Sequence, residues 1–278
     1  FSGRQLELVR VHNMEVIARP SSKSKGIIAS WMGGRFSISP DLGVAIRHSF
    51  KNIHRNTGLS PELKFLKPLF QEQDRRSALP QENELLVEYI ETKYGQHLFV
   101  YPFEGKLIHE GMAQVLAYRL GKIHPASFSI ASNEYGFELV SETKYDLNAD
   151  ILTALLSPKG LHEDISSGIN VQEMARRRFR DIASIAGLVF QGYPSAKIRT
   201  KHLQANAGLF FSVFEEYDAE NLLLREAYDE VFDFQLEEGR MLLAFERIAQ
   251  HEIVFREPKK LTPFSFPIFS ESFREKYS

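Results

Sequence analysis

Arg176, Arg177, Arg178 and Arg180 place four guanidinium groups within five positions. A guanidinium keeps its charge at any physiological pH and forks onto phosphate or carboxylate oxygens. The run therefore suits a polyanion or a set of acidic neighbours. On a helix, Arg176 and Arg180 share one face while Arg177 and Arg178 fan to others. Phe179, Ile182, Ile185 and Ala186 mark the side that packs inward. Lys197, Arg199 and Lys201 follow the turn signal Gly192-Tyr193-Pro194 and lead into the next predicted helix. A loop and helix start of that kind can hold phosphates through side chains and unpaired backbone N–H groups. The structural alternative is that the arginines pair with the acid-rich stretch at 215–238.

A second candidate lies in KGIIASWMGGRFSISP, residues 25–40, which holds the single tryptophan of the chain. Trp31 precedes Gly33-Gly34 and Arg35, with Lys23 and Lys25 upstream. An indole face stacks on any base, worth about 1–3 kcal/mol per base. Two glycines allow a nucleotide to pass close to the backbone, and the flanking cations can neutralise phosphates. The competing expectation is a core tryptophan, since tryptophan is usually well buried.

Other chemistry is missing from the sequence. No G-x-x-x-x-G-K-[ST] loop occurs, because Gly121-Lys122 lacks the upstream glycine and the hydroxyl. This chain is therefore not expected to hydrolyse a nucleotide by itself. There is no G-x-S-x-G. His109-Glu110, His162-Glu163 and His251-Glu252 never continue to H-E-x-x-H, so none sets two imidazoles on one helical face around zinc. His109 reads as structural. With no cysteine in the chain, disulfides, thiolate metal sites and a cysteine nucleophile are excluded.

The 278 residues carry a formal net charge of -2, which hides a polarity along the chain. Residues 1–60 hold nine Lys/Arg against three acids, residues 170–205 seven against two, and residues 215–257 four against thirteen. Two basic segments in a near-neutral chain point to a local anionic partner. No apolar run reaches the length of a membrane span. The opening FSGRQLELVR has no signal-peptide core and no initiator Met, and it is expected to belong to a longer protein.

Positioning these residues requires strands first and helices later. Strands are expected at 5–11, 14–18 and 26–32, then at 84–92 and 97–101 across Tyr94-Gly95, and at 127–131 and 137–140. Ser39-Pro40-Asp41 and Ser60-Pro61-Glu62 each combine a serine cap, proline in the first turn and an acid at the positive end of the dipole. Pro68 is expected to kink or restart the second of these helices. Leu107, Ile108, Met112, Val115, Leu116 and Leu120 form a helical stripe. Helices are expected near 148–156, 171–186, 200–217 and 219–249, the last interrupted around Gly239. A strand should return at 251–255, and the proline-punctuated segment 261–269 should lie extended. This order implies α+β architecture.

Seven blocks occur in sequence: GRQLELVRV at 3–11, WMGGR at 31–35, HLFVYPFEGKLIHEGMAQVLAYRL at 97–120, NEYGFEL at 133–139, FRDIASIAGLVFQGYP at 179–194, LQANAGLFFSVFEEYDAENLLLREAYDEV at 203–231 and LTPFSFPIF at 261–269. As a set they resemble the C-terminal, DEAD/H-associated region of bacterial ligase-associated DEXH-box helicases, the large-helicase-related (Lhr) family. The resemblance spans nearly the whole chain. It implies one associated domain over 1–278, with a strand-rich, antiparallel β-barrel-like part at 1–146 and a mostly helical part at 147–278. It further implies a cytoplasmic bacterial helicase that uses ATP and Mg, moves 3′ to 5′ on single-stranded DNA, unwinds duplexes and RNA:DNA hybrids, and serves DNA repair. Its RecA-like motor and winged-helix domains would lie elsewhere in the same protein, and an ATP-dependent ligase and a nuclease would be partners. Trp31, Arg35, Lys23 and Lys25 would then line the path of the single strand. The alternative is a structural or interaction domain that does not touch nucleic acid.

Overall fold

The computed structural model describes residues 6–12, 15–20, 37–189, 192–193, 196–197 and 200–277. They fall into two compact units, one before Ser37 and one from Ser37 onward. The first contains an antiparallel hairpin of β1 (Leu6–His12) and β2 (Glu15–Pro20), with a register shift between Leu8 and Arg10 and an exposed Arg19–Glu7 pair at 3.0 Å. The strand expected at 26–32 lies outside the described residues.

The larger unit begins with α1 (Pro40–Arg55) and α2 (Pro61–Arg76). Both start as their sequences dictate. The Ser39 hydroxyl accepts from the Leu42 N–H and the Ser60 hydroxyl from the Leu63 N–H, with proline in each first turn. Pro68 does not restart α2, which runs through it. The proline faces solvent, where water can satisfy the carbonyl that loses its N–H partner.

Next come β3 (Glu84–Thr92), β4 (Gly95–Val100), α3 (Lys106–Ile123), β5 (Ser129–Ser132) and β6 (Phe137–Ser141). The helical half follows with α4 (Ala149–Leu155), α5 (Leu161–Gly168) and α6 (Val171–Ile185). Two short strands, β7 (Gly192–Tyr193) and β8 (Ala196–Lys197), lead to α7 (Thr200–Tyr217) and α8 (Leu222–Glu230). A π-helical turn at Val231–Gln235 separates α8 from α9 (Glu238–Ile248). The interruption expected around Gly239 thus falls at Leu236-Glu237, with Glu237 in the left-handed region. The chain ends with β9 (Glu252–Arg256) and α10 (Ser265–Tyr277).

One five-stranded sheet, ordered β5-β6-β4-β3-β9, organises this unit. All neighbours are antiparallel except β9, which runs parallel to β3 from Glu84↔Glu252 to Glu88↔Arg256. The α+β class holds. The barrel-like expectation does not: among the described residues this sheet is open, with β5 and β9 as edges. The reason is in the strands, which are apolar on both sides. Leu85, Val87, Leu98, Val100, Phe137 and Leu139 pack with α3 and the later helices in one large core. Leu86, Ile90, Phe99 and Tyr101 join Phe50, Phe103 and Ile268 in a smaller core on the other side. A sheet buried on both faces is covered by helices on both faces.

The smaller core contains a fully buried carboxylate. Glu88 accepts from the Gln73 amide at 2.9 Å, the Tyr101 hydroxyl at 2.8 Å and the Thr262 hydroxyl at 2.8 Å. Those three donors come from α2, the end of β4 and the segment before α10. The same segment corrects the expectation that 261–269 is extended. The Ser265 N–H bonds the Thr262 hydroxyl and the Phe266 N–H bonds the Thr262 carbonyl. Thr262 therefore caps a helix, and Pro263 follows it directly, where no N–H is needed.

Removing the Glu88 carboxylate strands buried donors, each costing about 1–3 kcal/mol. Glu88→Ala is expected to lower unfolding free energy by about 2–4 kcal/mol and to speed hydrogen exchange across 261–277. Glu91→Ala, an exposed site on the same strand, should change stability by less than about 0.5 kcal/mol. Urea titration with exchange mass spectrometry reads both; equal effects at the two sites would remove the role given to Glu88.

Candidate nucleic-acid interface

α6 forms because Asn170 caps it through the Glu173 N–H at 3.2 Å and because Val171, Ala175, Phe179, Ile182 and Ala183 recur on one buried face. Phe179 meets the rings of Phe211 and Phe214 edge-on, with centroids 5.5 and 5.9 Å away. That anchor fixes where the four arginines emerge.

Their surroundings differ. Arg176 lies over the Phe211 ring at 4.9 Å and 3.8 Å from Glu215 on α7. Glu215 is further held by the Gln172 amide and by the Tyr228 hydroxyl at 2.7 Å. Burial and the adjacent Glu215 carboxylate push the Tyr228 pKa up. Arg178 leaves the opposite flank and bonds Glu230 at the end of α8. These two arginines bolt α6 to the acidic helices. Arg177 is exposed and, among the described residues, pairs within its own helix, to Glu173 at 3.1 Å. Arg180 contacts its neighbour Asp181 at 3.2 Å. Exposed pairs of that kind contribute about 0–1 kcal/mol and exchange readily for another anion. Of the four, Arg177 is by far the most exposed, and Arg180 is the other one whose ion pair among the described residues does not reach a second helix.

Lys197 lies on β8 and Lys201 in the first turn of α7. Trp31, Arg35, Lys23, Lys25 and Arg199 lie outside the described residues.

A different charged site was not legible in the sequence. Residues 102–105 turn sharply between β4 and α3, with Phe103 at φ 56° and Gly105 at φ 96°. Glu104 sits in this turn, buried, 2.7 Å from Arg47 of α1, 3.2 Å from Arg247 and 4.0 Å from Arg240, both of α9. The arginines also donate to backbone. Arg47 reaches the Phe103 carbonyl at 3.1 Å, Arg247 the Pro102 carbonyl at 3.2 Å, and Arg240 the Ile38 carbonyl at 3.1 Å and that of Glu104. Burial, and then the neighbouring Arg47, bring the Arg247 pKa down to about 10. His251, beside Arg247, is lowered to about 4 by burial and then by Arg247 and Arg47.

His109 completes the turn. The Glu104 N–H donates to its Nε2 at 3.0 Å, so its Nδ1 carries the proton and donates to the Asn133 carbonyl at 2.7 Å. Burial lowers its pKa to about 3. The structural role expected for His109 is the one observed. Glu134, from the same β5–β6 connection, caps α3 at the Lys106 N–H (3.2 Å) and accepts from the Ile38 N–H (2.9 Å).

Beside this turn lies a cavity of about 350 Å3. Its wall is mostly apolar, with Ile46, Phe50, Leu66, Phe70, Phe103 and Phe264 among its members, and Ser49 and Asn133 are its few polar ones. Leu66 and Leu69 of α2 stand exposed at its edge. Such lining suits an apolar side chain better than a phosphate.

Residues 79–265 match the family model described as DEAD/H associated, well over half of the chain. The chain belongs to that family, the associated domain of Lhr-type helicases. An ATP-dependent helicase Lhr-Core protein 2 from Thermococcus barophilus is 22% identical over 282 residues, covering 96% of this chain and 33% of its own length. The Lhr-Core helicase of Methanocaldococcus jannaschii is 24% identical over 256 residues, covering 87% and 30%. The chain therefore spans about a third of the length of these curated relatives. The Lhr helicase of Mycobacterium smegmatis, solved with ssDNA and AMP-PNP, shares the fold at a TM-score of 0.63 and 17% identity over 87% of this chain and 33% of its own. Among the described residues, no helix is long and apolar enough to cross a membrane.

The two neutral histidines make stability acid-sensitive. An unfolded histidine titrates near 6.5, and these titrate far lower when folded. Below pH 6.5 the unfolded state therefore takes up protons that the folded state refuses. Stability falls by about 1.4 kcal/mol per pH unit for His109 until its folded pKa is reached, and His251 acts in the same direction. Urea midpoints from pH 7 to pH 4 should drop steeply, and His109→Gln should be less stable at pH 7 with a shallower slope. An unchanged slope in His109→Gln would assign the acid sensitivity elsewhere.

Proposed function

We propose that this chain is the C-terminal accessory domain of an ATP-dependent, 3′-to-5′ DNA helicase of DNA repair, binding single-stranded nucleic acid and docking on the motor and winged-helix parts of the same protein. The observation that carries the reading is family membership over residues 79–265 together with a fold shared with a helicase solved on ssDNA. Nucleotide chemistry is assigned to the remainder of the protein, because this sequence has no phosphate-cradling loop. ATP and Mg would act there. A cytoplasmic location, action on RNA:DNA hybrids and work beside a ligase or nuclease belong to the same reading.

In this proposal Trp31 stacks on a base, with Lys23, Lys25 and Arg35 on adjacent phosphates. Arg177, Arg180, Lys197, Arg199 and Lys201 add a second cationic contact, while Arg176 and Arg178 mainly hold α6 in place. Support for separate contributions comes from the contrast between in-helix pairs at Arg177 and Arg180 and cross-helix pairs at Arg176 and Arg178. The second reading, an interaction domain without nucleic-acid contact, is favoured by those same cross-helix pairs and by the apolar cavity beside α2.

A single indole makes intrinsic fluorescence site-specific. Titration of the full-length protein's Trp31 signal, isolated by replacing tryptophans elsewhere, should show salt-sensitive quenching by ssDNA. Trp31→Ala should weaken binding about 5- to 100-fold, the equivalent of one lost stack. Arg177→Ala with Arg180→Ala should flatten the salt dependence by up to about two units of log-log slope. Emission unmoved by DNA that an independent assay shows to be bound would place Trp31 in a core. Binding indifferent to all of these substitutions would favour the interaction-domain reading.

A further inference from the structure

α7 is amphipathic twice over. Ala207, Phe211 and the half-buried Phe210 and Phe214 face α6 and the core. The opposite side carries Leu209, Val213 and Tyr217, spaced four apart and therefore in one line. Leu209 is 65% exposed and Tyr217 76% exposed. Leu222, at the start of α8, extends the apolar series. A helix that is apolar on both sides is ordinarily covered on both, and a continuous exposed apolar line marks an interaction surface.

Among the described residues, the charges beside the C-terminal half of this line are mainly acidic. Glu216 lies one turn from Val213 and two turns from Leu209 on the same outer side, and Asp218 and Glu220 follow at the helix end, all exposed. A recess of about 320 Å3 opens between the end of α7 and α8, with Glu215, Tyr228 and Asp229 in its wall. Arg225 is the one cation lining it, and this arginine is 3.9 Å from Glu220. Nucleic acid is repelled by such a surface. A segment with apolar anchors flanked by lysine or arginine fits it.

We propose that the outer face of α7, centred on Leu209, Val213 and Tyr217, docks an apolar, basic segment of the same polypeptide lying outside these 278 residues. This rests on the reading that the chain is one part of a longer helicase. It is supported by relatives about three times as long and by a fold that recurs inside a chain three times its length. A surface built into a larger polypeptide meets its neighbours in cis at high effective concentration. Acidic flanks then select which neighbour seats here.

The absence of cysteine from these residues gives a direct test. In the full-length protein, Leu209→Cys is compared with Lys159→Cys, a control on an exposed loop. Maleimide labelling is read peptide by peptide by mass spectrometry, so cysteines elsewhere do not interfere. Leu209→Cys should label at least tenfold more slowly than the control. Adding Glu216→Lys should speed its labelling several-fold, and about 1 M salt, where the Debye length is near 3 Å, should narrow the gap. Labelling at the control rate overturns the proposal. So does protection that appears only with added ssDNA, or only at high protein concentration, which would mark a nucleic-acid face or a contact with a second copy. If the full-length protein fails to bind ssDNA while Leu209→Cys is protected, the functional reading falls and the docking face stands.

Discussion

The turn at 102–105 depends on one carboxylate. Glu104 is the anion on which Arg47, Arg240 and Arg247 converge, and the three arginines bring α1 and α9 to the place where β4 hands over to α3. Left-handed backbone at Phe103 and Gly105 is tolerable because so many bonds hold it. Gly43 lets α1 come close, since a Cβ there would sit 2.5 Å from the Phe103 carbonyl oxygen. Three cations on one anion leave positive charge in excess, and backbone carbonyls of Pro102, Phe103, Glu104 and Ile38 offset it. Loss of the Glu104 carboxylate would leave buried cations facing one another, a class of change that costs about 3–5 kcal/mol. The start of α3, the cap from Glu134 and the His109 bridge all build on this turn.

From that point the sheet is held like a plate between two cores. Its smaller face carries polar groups that a barrel interior or a solvated face would not need to bury. Glu88 serves α2 and the start of α10, while His97 bridges Glu138 at 2.6 Å and Thr92 at 2.7 Å beneath Phe269. Buried networks of this kind are costly when half satisfied and specify one arrangement when complete. They explain why the C-terminal segment returns to a sheet begun some 170 residues earlier: Thr262 is 174 positions from the carboxylate it bonds.

Much of this was legible where the signal is local. Ser39-Pro40 and Ser60-Pro61 announce α1 and α2, and the stripe from Leu107 to Leu120 announces α3. What failed is non-local or short. α5 has a glycine N-cap at φ 70° and no side-chain cap bond, so nothing in its sequence marks the start. The parallel pairing of β9 with β3 links residues 168 positions apart, which no periodicity records. The proline-punctuated 261–269 reads as extended until Thr262 is seen to cap a helix. For the candidate site, the complementarity of a basic run and an acidic stretch was visible. The particular pairs, Arg176 with Glu215 and Arg178 with Glu230, depend on how α6 rolls on Phe179. The Glu104 cluster gave no signal, because its arginines lie 57 to 143 positions from the carboxylate.

The charge polarity of the chain acquires a physical meaning in this fold. Cations and acids alternate along most soluble surfaces; here the acids concentrate on α7, α8 and their connection. Arg176 and Arg178 neutralise the inner side of that acidic layer, leaving Glu216, Asp218 and Glu220 outside. A polyanion approaching the C-terminal half of the outer face of α7 meets mainly like charge, with Arg225 beside Glu220, an energetic penalty that reaches a Debye length, about 8 Å at physiological salt. The exposed Arg177 and the half-buried Arg180 lie on the neighbouring helix instead. On the proposed reading, one small body thereby directs a nucleic acid and a protein neighbour to different surfaces. The same arginine run does both jobs, two residues by pairing inward and two by remaining open to exchange.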